Sequence, residues 1–105
     1  MATEKLELLV LRTLALAPLH GYGIGQRIEQ VSGGVFKVTL GALYPALQRL
    51  ERAGLVKGDW ATTENGRRAR YYAITAAGRR RLSVDQAAWE RTAAAMMRIL
   101  HADSE

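Results

Sequence analysis

The hydrophobic positions of the chain fall at helical spacing in four segments and alternate with polar positions in two others. The first helical segment runs from about Glu4 to Ala17, and Pro18 predicts its end. Its apolar residues cover nearly the whole circumference of a helix, and a helix with so little polar surface is buried on most sides. In a chain this short, we expect a second subunit to cover part of it. These residues are Leu6, Leu8, Leu9, Val10, Leu11, Leu14 and Leu16.

Two shorter helices are predicted next. A turn at residues 20–23 leads into a helix of about Tyr22 to Val31, which Ser32-Gly33-Gly34 closes because glycine tolerates a left-handed helix end. The third helix lies within Thr39 to Ala53, and Gly54 is its predicted C-cap. Its core-facing stripe is predicted to consist of Leu40, Leu43, Leu47 and Leu50.

Pro45 conflicts with a regular third helix. Inside a helix, proline removes one hydrogen bond and collides with the carbonyl four residues back, at a cost of about 3 kcal/mol. Either the helix begins later than Thr39, or it bends at Pro45 with Gly41 giving slack. The sequence leaves both alternatives open.

A hairpin and a long last helix complete the pattern. Leu55 to Ala61 and Arg70 to Ile74 are predicted strands, and the turn pair Asn65-Gly66 lies between them. The last helix starts at residues 75–78 and runs to about His101, so that it would be ~39 Å long. An a/d-type heptad seam follows it, formed by Leu82, Gln86, Trp89, Ala93, Met96 and Leu100.

Basic residues are concentrated around the predicted hairpin. The 105 residues carry a formal net charge of +5. The segment from Arg49 to Arg81 holds nine Lys and Arg residues against three acidic ones, whereas the rest of the chain holds six basic and seven acidic residues. The whole surplus therefore lies on the hairpin and its flanks, which indicates a polyanionic partner such as nucleic acid. A solubilising face is the alternative interpretation of such a cluster.

Composition argues against several other classes of protein. The chain has no Cys, which excludes disulfides and thiolate metal sites and is typical of a reducing compartment. Its longest apolar run is interrupted by Arg12 and is too short to cross a bilayer, and the first residues lack the pattern of a secretory signal. His20 and His101 have no matched ligands or bases around them. We expect a one-domain cytoplasmic protein that is not an enzyme, holds no metal or cofactor and does not engage a membrane.

An amphipathic helix that ends at a glycine and leads into an arginine-tipped hairpin is the layout of a winged helix-turn-helix. The predicted fold is mainly α with a small β-hairpin. Residues 1–75 would form the DNA-binding domain, with the first helix also at the dimer interface, and residues 76–105 a C-terminal dimerisation helix. In this interpretation, Gln48 and Arg49 reach base edges or phosphates in the major groove, and the Tyr44 hydroxyl contacts phosphate. The wing offers bidentate forks to phosphates through Arg67, Arg68 and Arg70.

Three blocks of sequence resemble the PadR family of transcriptional regulators. They read HGYGI at residues 20–24, GALYPALQRLERAGLV at 41–56 and GRRARYYAITAAG at 66–78. They occur in the family's order and cover most of the chain, and the single last helix is similar to that of the family's short subgroup. The resemblance implies a homodimeric winged-helix repressor that binds a roughly palindromic operator in double-stranded DNA.

The resemblance also implies roles for particular residues. The predicted DNA contacts are Tyr22, Lys37, Thr39, Tyr44, Pro45, Gln48, Arg49, Arg67, Arg68 and Arg70. The first and last helices would form the dimer through Leu6, Leu9, Val10, Leu82, Trp89, Ala93, Met96 and Leu100. A Trp at the place of Trp89 stacks on flat aromatic ligands in some short members, so a small hydrophobic or aromatic effector would contact Trp89, Ala93 and Met96.

Two alternatives stay open at this point. Trp89 is either a plain residue of the dimer core or a ligand contact as well. The whole chain could also be a winged-helix module for ligand sensing or protein interaction that no longer reads DNA. The wing arginines, all of which are present, argue against that loss.

Overall fold

The computed structural model describes residues 3–103, which form four α-helices and a three-stranded antiparallel sheet. The predicted fold class, a mainly α winged helix-turn-helix with a long last helix, is confirmed. The elements follow one another as α1 Thr3–Leu14, β1 Leu19–His20, α2 Gly21–Val31, α3 Leu40–Arg52, β2 Val56–Thr62, β3 Arg68–Ile74 and α4 Ala76–Leu100.

Helix α1 is shorter than its hydrophobic pattern indicates. It ends at Leu14 rather than at Ala17. Pro18 accounts for this, because continuing the helix would drive the proline ring into the carbonyl of Leu14, four residues back. The chain then forms a short strand, β1, which the sequence analysis took for a turn. In β1, Leu19 pairs with Tyr72 and His20 with Tyr71 of β3.

Helices α1, α2 and α3 pack around one core. The largest completely buried side chains are Val10, Leu11, Leu14, Ile24, Leu43, Leu47, Leu50 and Val56. The predicted stripe of α3 needs one correction, since Leu40 is exposed and Ala46 is buried in its place. Residues 43, 46, 47 and 50 have the i, i+3, i+4, i+7 spacing of a single helix face, and Leu40 lies in the first turn, past the edge of the core.

Pro45 lies inside a helix that begins at Leu40, so the alternative of a later start is wrong. The missing proline N–H leaves the carbonyl of Gly41 without its helical partner. Both residues lie on the exposed face of α3, where water can bond that carbonyl. The Thr39 hydroxyl meanwhile caps the helix by accepting a hydrogen bond from the Ala42 N–H at 3.3 Å.

The end of α3 is held by a Schellman motif. Ala53 is the C-cap, and Gly54 follows it with φ +75°. The Gly54 N–H donates to the Glu51 carbonyl at 3.0 Å, and the Leu55 N–H donates to the Leu50 carbonyl at 2.9 Å. The chain is thereby turned directly from α3 into β2.

Helix α4 is anchored at its first turn. The Thr75 hydroxyl accepts a hydrogen bond from the Gly78 N–H at 3.0 Å and donates one to the Gly54 carbonyl at 2.7 Å. Beyond Leu82 the helix has no buried residue in the part of the chain that the structure describes. It extends away from the core and gives the molecule a longest dimension of 61 Å.

Candidate nucleic-acid interface

The outer face of α3 carries a row of exposed residues. Gly41, Pro45, Gln48 and Arg52 follow one another at helical spacing, opposite the buried stripe, and all four are exposed. Gln48 therefore lies where the sequence analysis expected it. Arg52 belongs to the same row, although it was not among the predicted contacts.

The start of α3 lies across the start of α2. The Tyr44 ring packs so closely on Gly21 that a Cβ at this glycine would come within 2.9 Å of the Tyr44 hydroxyl oxygen. The His20 ring caps α2, because its Nδ1 accepts a hydrogen bond from the Gly23 N–H at 3.0 Å. Tyr22 is exposed beside it, and its hydroxyl accepts a hydrogen bond from Gln26 at 3.1 Å. Lys37 is exposed in the loop before α3.

Arg49 does not share the outward orientation predicted for it. Its Nε donates to a carboxylate oxygen of Glu7 on α1 at 2.9 Å. The side chain thus bridges α3 to α1. Arg49 is therefore also a helix–helix contact, and its contact with DNA stays a prediction.

The hairpin of β2 and β3 forms a wing with a closed tip. The Thr63 N–H donates to the Arg67 carbonyl at 2.6 Å, and the Gly66 N–H donates to the Thr63 carbonyl at 2.9 Å. Gly66 has φ +78°, the left-handed conformation that the predicted Asn-Gly turn requires. The turn fixes the direction in which the adjoining arginines leave the backbone.

The three wing arginines have three different environments. Arg67 is exposed at the tip. Arg68 lies over the Trp60 ring, with its guanidinium carbon 5.1 Å from the ring centroid. Arg70 donates to a carboxylate oxygen of Glu51 on α3 at 2.5 Å, and this hydrogen bond raises the pKa of Arg70 above its ordinary value.

Arg70 thus has a contact within its own chain beside the predicted phosphate contact, which stays a prediction. Its guanidinium ties β3 to α3, and Gly58 on β2 leaves the room for it, since a Cβ at Gly58 would overlap the Arg70 side chain. Arg70 fixes the wing against α3, while Arg67 and Arg68 stay available at the outer end of the hairpin.

A cleft of about 520 Å³ opens between α2, α3 and the wing. Tyr22, Tyr44 and Trp60 contribute aromatic rings to its walls, and Arg67 and Arg68 contribute cations. None of the residues that line it, within the described range 3–103, is acidic. Such a combination of cations, hydroxyls and flat rings suits the phosphates and sugars of a nucleic-acid strand.

Trp60 is a site residue that sequence reasoning missed. It is 58% exposed on the wing although it is one of only two tryptophans in the chain. The available signal was the alternation in β2, which puts residues 58, 60 and 62 on one face of the hairpin together with residues 68, 70 and 72 of β3.

The predicted interface residues on α1 and α4 fall into two groups. Leu6, Val10 and Leu82 are buried in the chain's own core, so they are not part of a free surface, and this part of the prediction is revised. Leu9 and Ala93 are half-buried. Trp89, Met96 and Leu100 are exposed, together with Met97 and Ile99. The seam of α4 is thus an uncovered apolar face in the single chain.

A shallow pocket of about 430 Å³ lies between α1 and α4 beside this face. Trp89 forms part of its wall, and the Lys5 ammonium lies 5.3 Å from the centroid of the Trp89 ring. Ala93 and Met96, the other predicted effector contacts, lie further along α4 outside this lining. The pocket has both charged and apolar walls, with Glu4, Lys5, Leu8 and Ala88 among its residues.

Metal ligation and membrane spanning have no basis in residues 3–103. This range contains no group of His, Asp or Glu residues that could hold a metal ion. Nor does it contain a helix with the length and apolarity needed to cross a membrane.

Comparison with known proteins places these features in a family. The profile of the Transcriptional regulator PadR-like family matches residues 10–84. An uncharacterized 37.1 kDa protein in transposon TN4556 of Streptomyces fradiae is 43% identical over 99 residues. That alignment covers 94% of this chain and 25% of the relative, so the chain spans about a quarter of that protein's length.

Solved structures have the same architecture. The Streptococcus mutans protein smu.1704 superposes with a TM-score of 0.85 at 26% identity, over 96% of this chain and 91% of that one. The Bacillus subtilis PadR in complex with operator DNA has a TM-score of 0.66 at 22% identity, over 74% of this chain and 44% of that one. The second likeness concerns the fold alone.

Proposed function

The chain belongs to the PadR-like family of transcriptional regulators, and from this premise we propose that it is a homodimeric repressor of transcription that binds a palindromic operator in double-stranded DNA. Each subunit inserts α3 into a major groove, with Gln48 and Tyr44 toward the DNA, while Arg67 and Arg68 of the wing bind backbone phosphates. The two reading helices of a dimer would lie ~34 Å apart, one helical turn of B-DNA. In a bacterial cell, this activity belongs to the cytoplasm.

The cleft between α3 and the wing is the observation that carries the proposal. It brings Tyr44 of α3, the exposed wing arginines Arg67 and Arg68 and several further aromatic rings to one side of the molecule, without a carboxylate in the lining of its described residues. The Bacillus subtilis relative with the same fold was solved with operator DNA. A module for protein interaction or ligand sensing alone gives no reason for an acid-free basic cleft beside a helix.

Selection of bound fragments from genomic DNA, followed by gel shifts over a salt series, tests the proposal. We expect one recovered sequence with inverted repeats, and a binding constant that falls steeply with salt, with a slope of about −0.9 for each phosphate contact. Reversing both charges in R67E/R68E should weaken binding by more than about a hundredfold. The matched control is R91E, an exposed arginine on the side of α4 opposite the seam. Binding that is insensitive to salt and to R67E/R68E would contradict DNA recognition.

Dimerisation through α4 is the second part of the proposal. The apolar face of Trp89, Met96, Met97, Ile99 and Leu100 is exposed in the single chain, and apolar surfaces of this kind are normally covered by a partner. Two antiparallel α4 helices, each against the other subunit's α1, would cover it. Sedimentation equilibrium should give twice the mass of 11.6 kDa. A stable single subunit at micromolar concentration would contradict the dimer.

An effector that binds beside Trp89 is the third part. Two symmetry-related Trp89 rings would hold a planar aromatic molecule, with Ala93 and Met96 flanking it. Such a ligand regulates binding only if it prefers one spacing of the two reading helices. Titration of W60F protein, which leaves Trp89 as the single tryptophan, with quinoline- and acridine-type compounds should quench fluorescence and weaken operator binding together. Quenching without any effect on the operator would leave a ligand site without regulation.

A further inference from the structure

Trp60 lies at the centre of the wing face that borders the cleft. In the β2–β3 ladder it faces Arg70 directly, and Arg68 and Tyr72 lie diagonally on either side. Arg70 is bound to Glu51, and Tyr72 is buried. Arg68 is therefore the one diagonal neighbour that combines a contact to the indole with an open approach to the cleft.

The Trp60 indole is not part of the hydrophobic core. More than half of its surface is exposed, and the hydrophobic core of the chain ends at Val56 on the same strand. An exposed tryptophan on a hairpin gives little to folding. It does offer a flat face to a cation, and the Arg68 guanidinium carbon lies over that ring, 5.1 Å from its centroid.

Stacking suits an arginine that has to bind phosphate. A guanidinium on an aromatic face keeps its N–H groups free, because they point outward in its own plane. Holding a long, flexible side chain in its bound direction removes part of the entropy cost of binding. Arg67 provides the contrast, since its side chain makes no ion pair or ring contact with the residues described.

We propose that Trp60 is a positioning residue for DNA binding: its indole holds the Arg68 guanidinium in the cleft, directed toward a backbone phosphate. This inference rests on the proposed function. The two exposed wing arginines then differ before DNA binds: the Arg68 side chain is already held in its binding direction, whereas the Arg67 side chain becomes ordered only on binding.

A double-mutant cycle on the selected operator duplex tests the inference. W60L should weaken binding about three- to fivefold, whereas W60F, which keeps a ring under Arg68, should stay within about twofold of the parent. In an R68A background, W60L should add less than about 1.5-fold, because its effect passes through Arg68. In the matched R67A background, it should keep its full effect.

A second measurement follows the contact without DNA. In W89F protein, Trp60 is the single remaining tryptophan, so R68A should change its emission spectrum and R67A should not. If this change is absent, or if W60L weakens binding equally with and without Arg68, the positioning role is wrong.

The failure of the inference can be distinguished from the failure of the proposed function. If selection recovers no preferred sequence and the parent protein fails to bind a mixed-sequence duplex of about 30 base pairs at low salt, DNA recognition itself is wrong. If R68A weakens binding and W60L does not, DNA recognition stands and only the role of Trp60 is lost.

Discussion

The winged domain, residues 3–75, and helix α4 cover their apolar side chains in opposite ways. In the winged domain, three helices and a sheet enclose leucines such as Leu11, Leu43 and Leu47 completely. In α4, Leu82 is buried, whereas Trp89 is 45% and Leu100 69% exposed. Both regions have an apolar stripe along their sequences, but only the stripe of the winged domain is covered within its own chain.

This difference shows that a hydrophobic pattern raises two separate questions: which side of a helix is buried, and which chain covers it. The spacing of leucines on α3 or of the seam on α4 says which side of a helix avoids water. It does not say whether the cover comes from the same chain or from a partner. The winged domain covers its apolar side chains largely by its own packing, and we infer that the outer part of α4 is covered by a second copy.

The largest effect is expected from charging the seam. M96D/L100D places two carboxylates per subunit on the face that the partner would cover, and burying unpaired charge is strongly unfavourable. We expect the dimer to dissociate at concentrations about a thousandfold higher than for the parent. Sedimentation equilibrium measures this, with R91D on the opposite side of the helix as control. A parent-like dimer in M96D/L100D would show that this face is not the interface.

Truncation of a buried side chain tests the packing of the winged domain. Leu47 is completely buried between α3 and its neighbours, so L47A should lower the free energy of unfolding by about 2–5 kcal/mol. L100A removes the same group from the exposed seam and should have much less effect at concentrations where the protein is monomeric. Urea titration followed by circular dichroism compares the two. Equal losses would mean that α4 is packed within the chain.

Gly78, at the joint where the first turn of α4 packs on the winged domain, is expected to give an intermediate effect on the free energy of unfolding. A Cβ at Gly78 would collide with the backbone carbonyl of Leu55 and with Ile74, so G78A should cost about 1–3 kcal/mol of unfolding free energy. Gly41 is also helical, but no heavy atom lies within 4 Å of the place where its Cβ would be. G41A should therefore gain about 0.5–1 kcal/mol. Two changes of the same sign would contradict this account of the joint.

Local signals in the sequence were enough for most elements. The glycines after α2 and α3 and the Asn-Gly turn each act within a few residues, and the predicted bounds of α2, α3 and α4 lie within one or two positions of those in the structure. The fold class followed from their order. Strand β1 was missed because its two residues are strand only through pairing with Tyr71 and Tyr72, about 50 residues away.

The candidate site was predicted less completely for the same physical reason. Exposed basic residues look alike in sequence, but Arg49 meets Glu7 across 42 positions and Arg70 meets Glu51 across 19. Both were predicted to contact DNA, and the prediction did not include the carboxylates of their own chain that both of them bind. The contacts that do not depend on distant partners, such as Gln48 on the outer row of α3 and Arg67 at the wing tip, lie on the surfaces where they were expected.

The smallest effect concerns Tyr72, which lies where the core of the winged domain meets the wing. Burial disfavours the phenolate and raises the pKa of Tyr72 above its ordinary value. The folded chain therefore keeps this proton to a higher pH than the unfolded chain, which loses it from about pH 10. Above that pH the unfolded state binds fewer protons, so the free energy of unfolding falls as pH rises.

Urea titrations at pH 9, 10 and 11 should show a decline in the free energy of unfolding that is less steep in Y72F than in the parent, by no more than about 1 kcal/mol at pH 11. Y71F removes the same hydroxyl from the opposite, half-buried face of β3 and is the control. The same decline in Y72F and in the parent would mean that the Tyr72 hydroxyl is open to water, and that the core closes short of the wing.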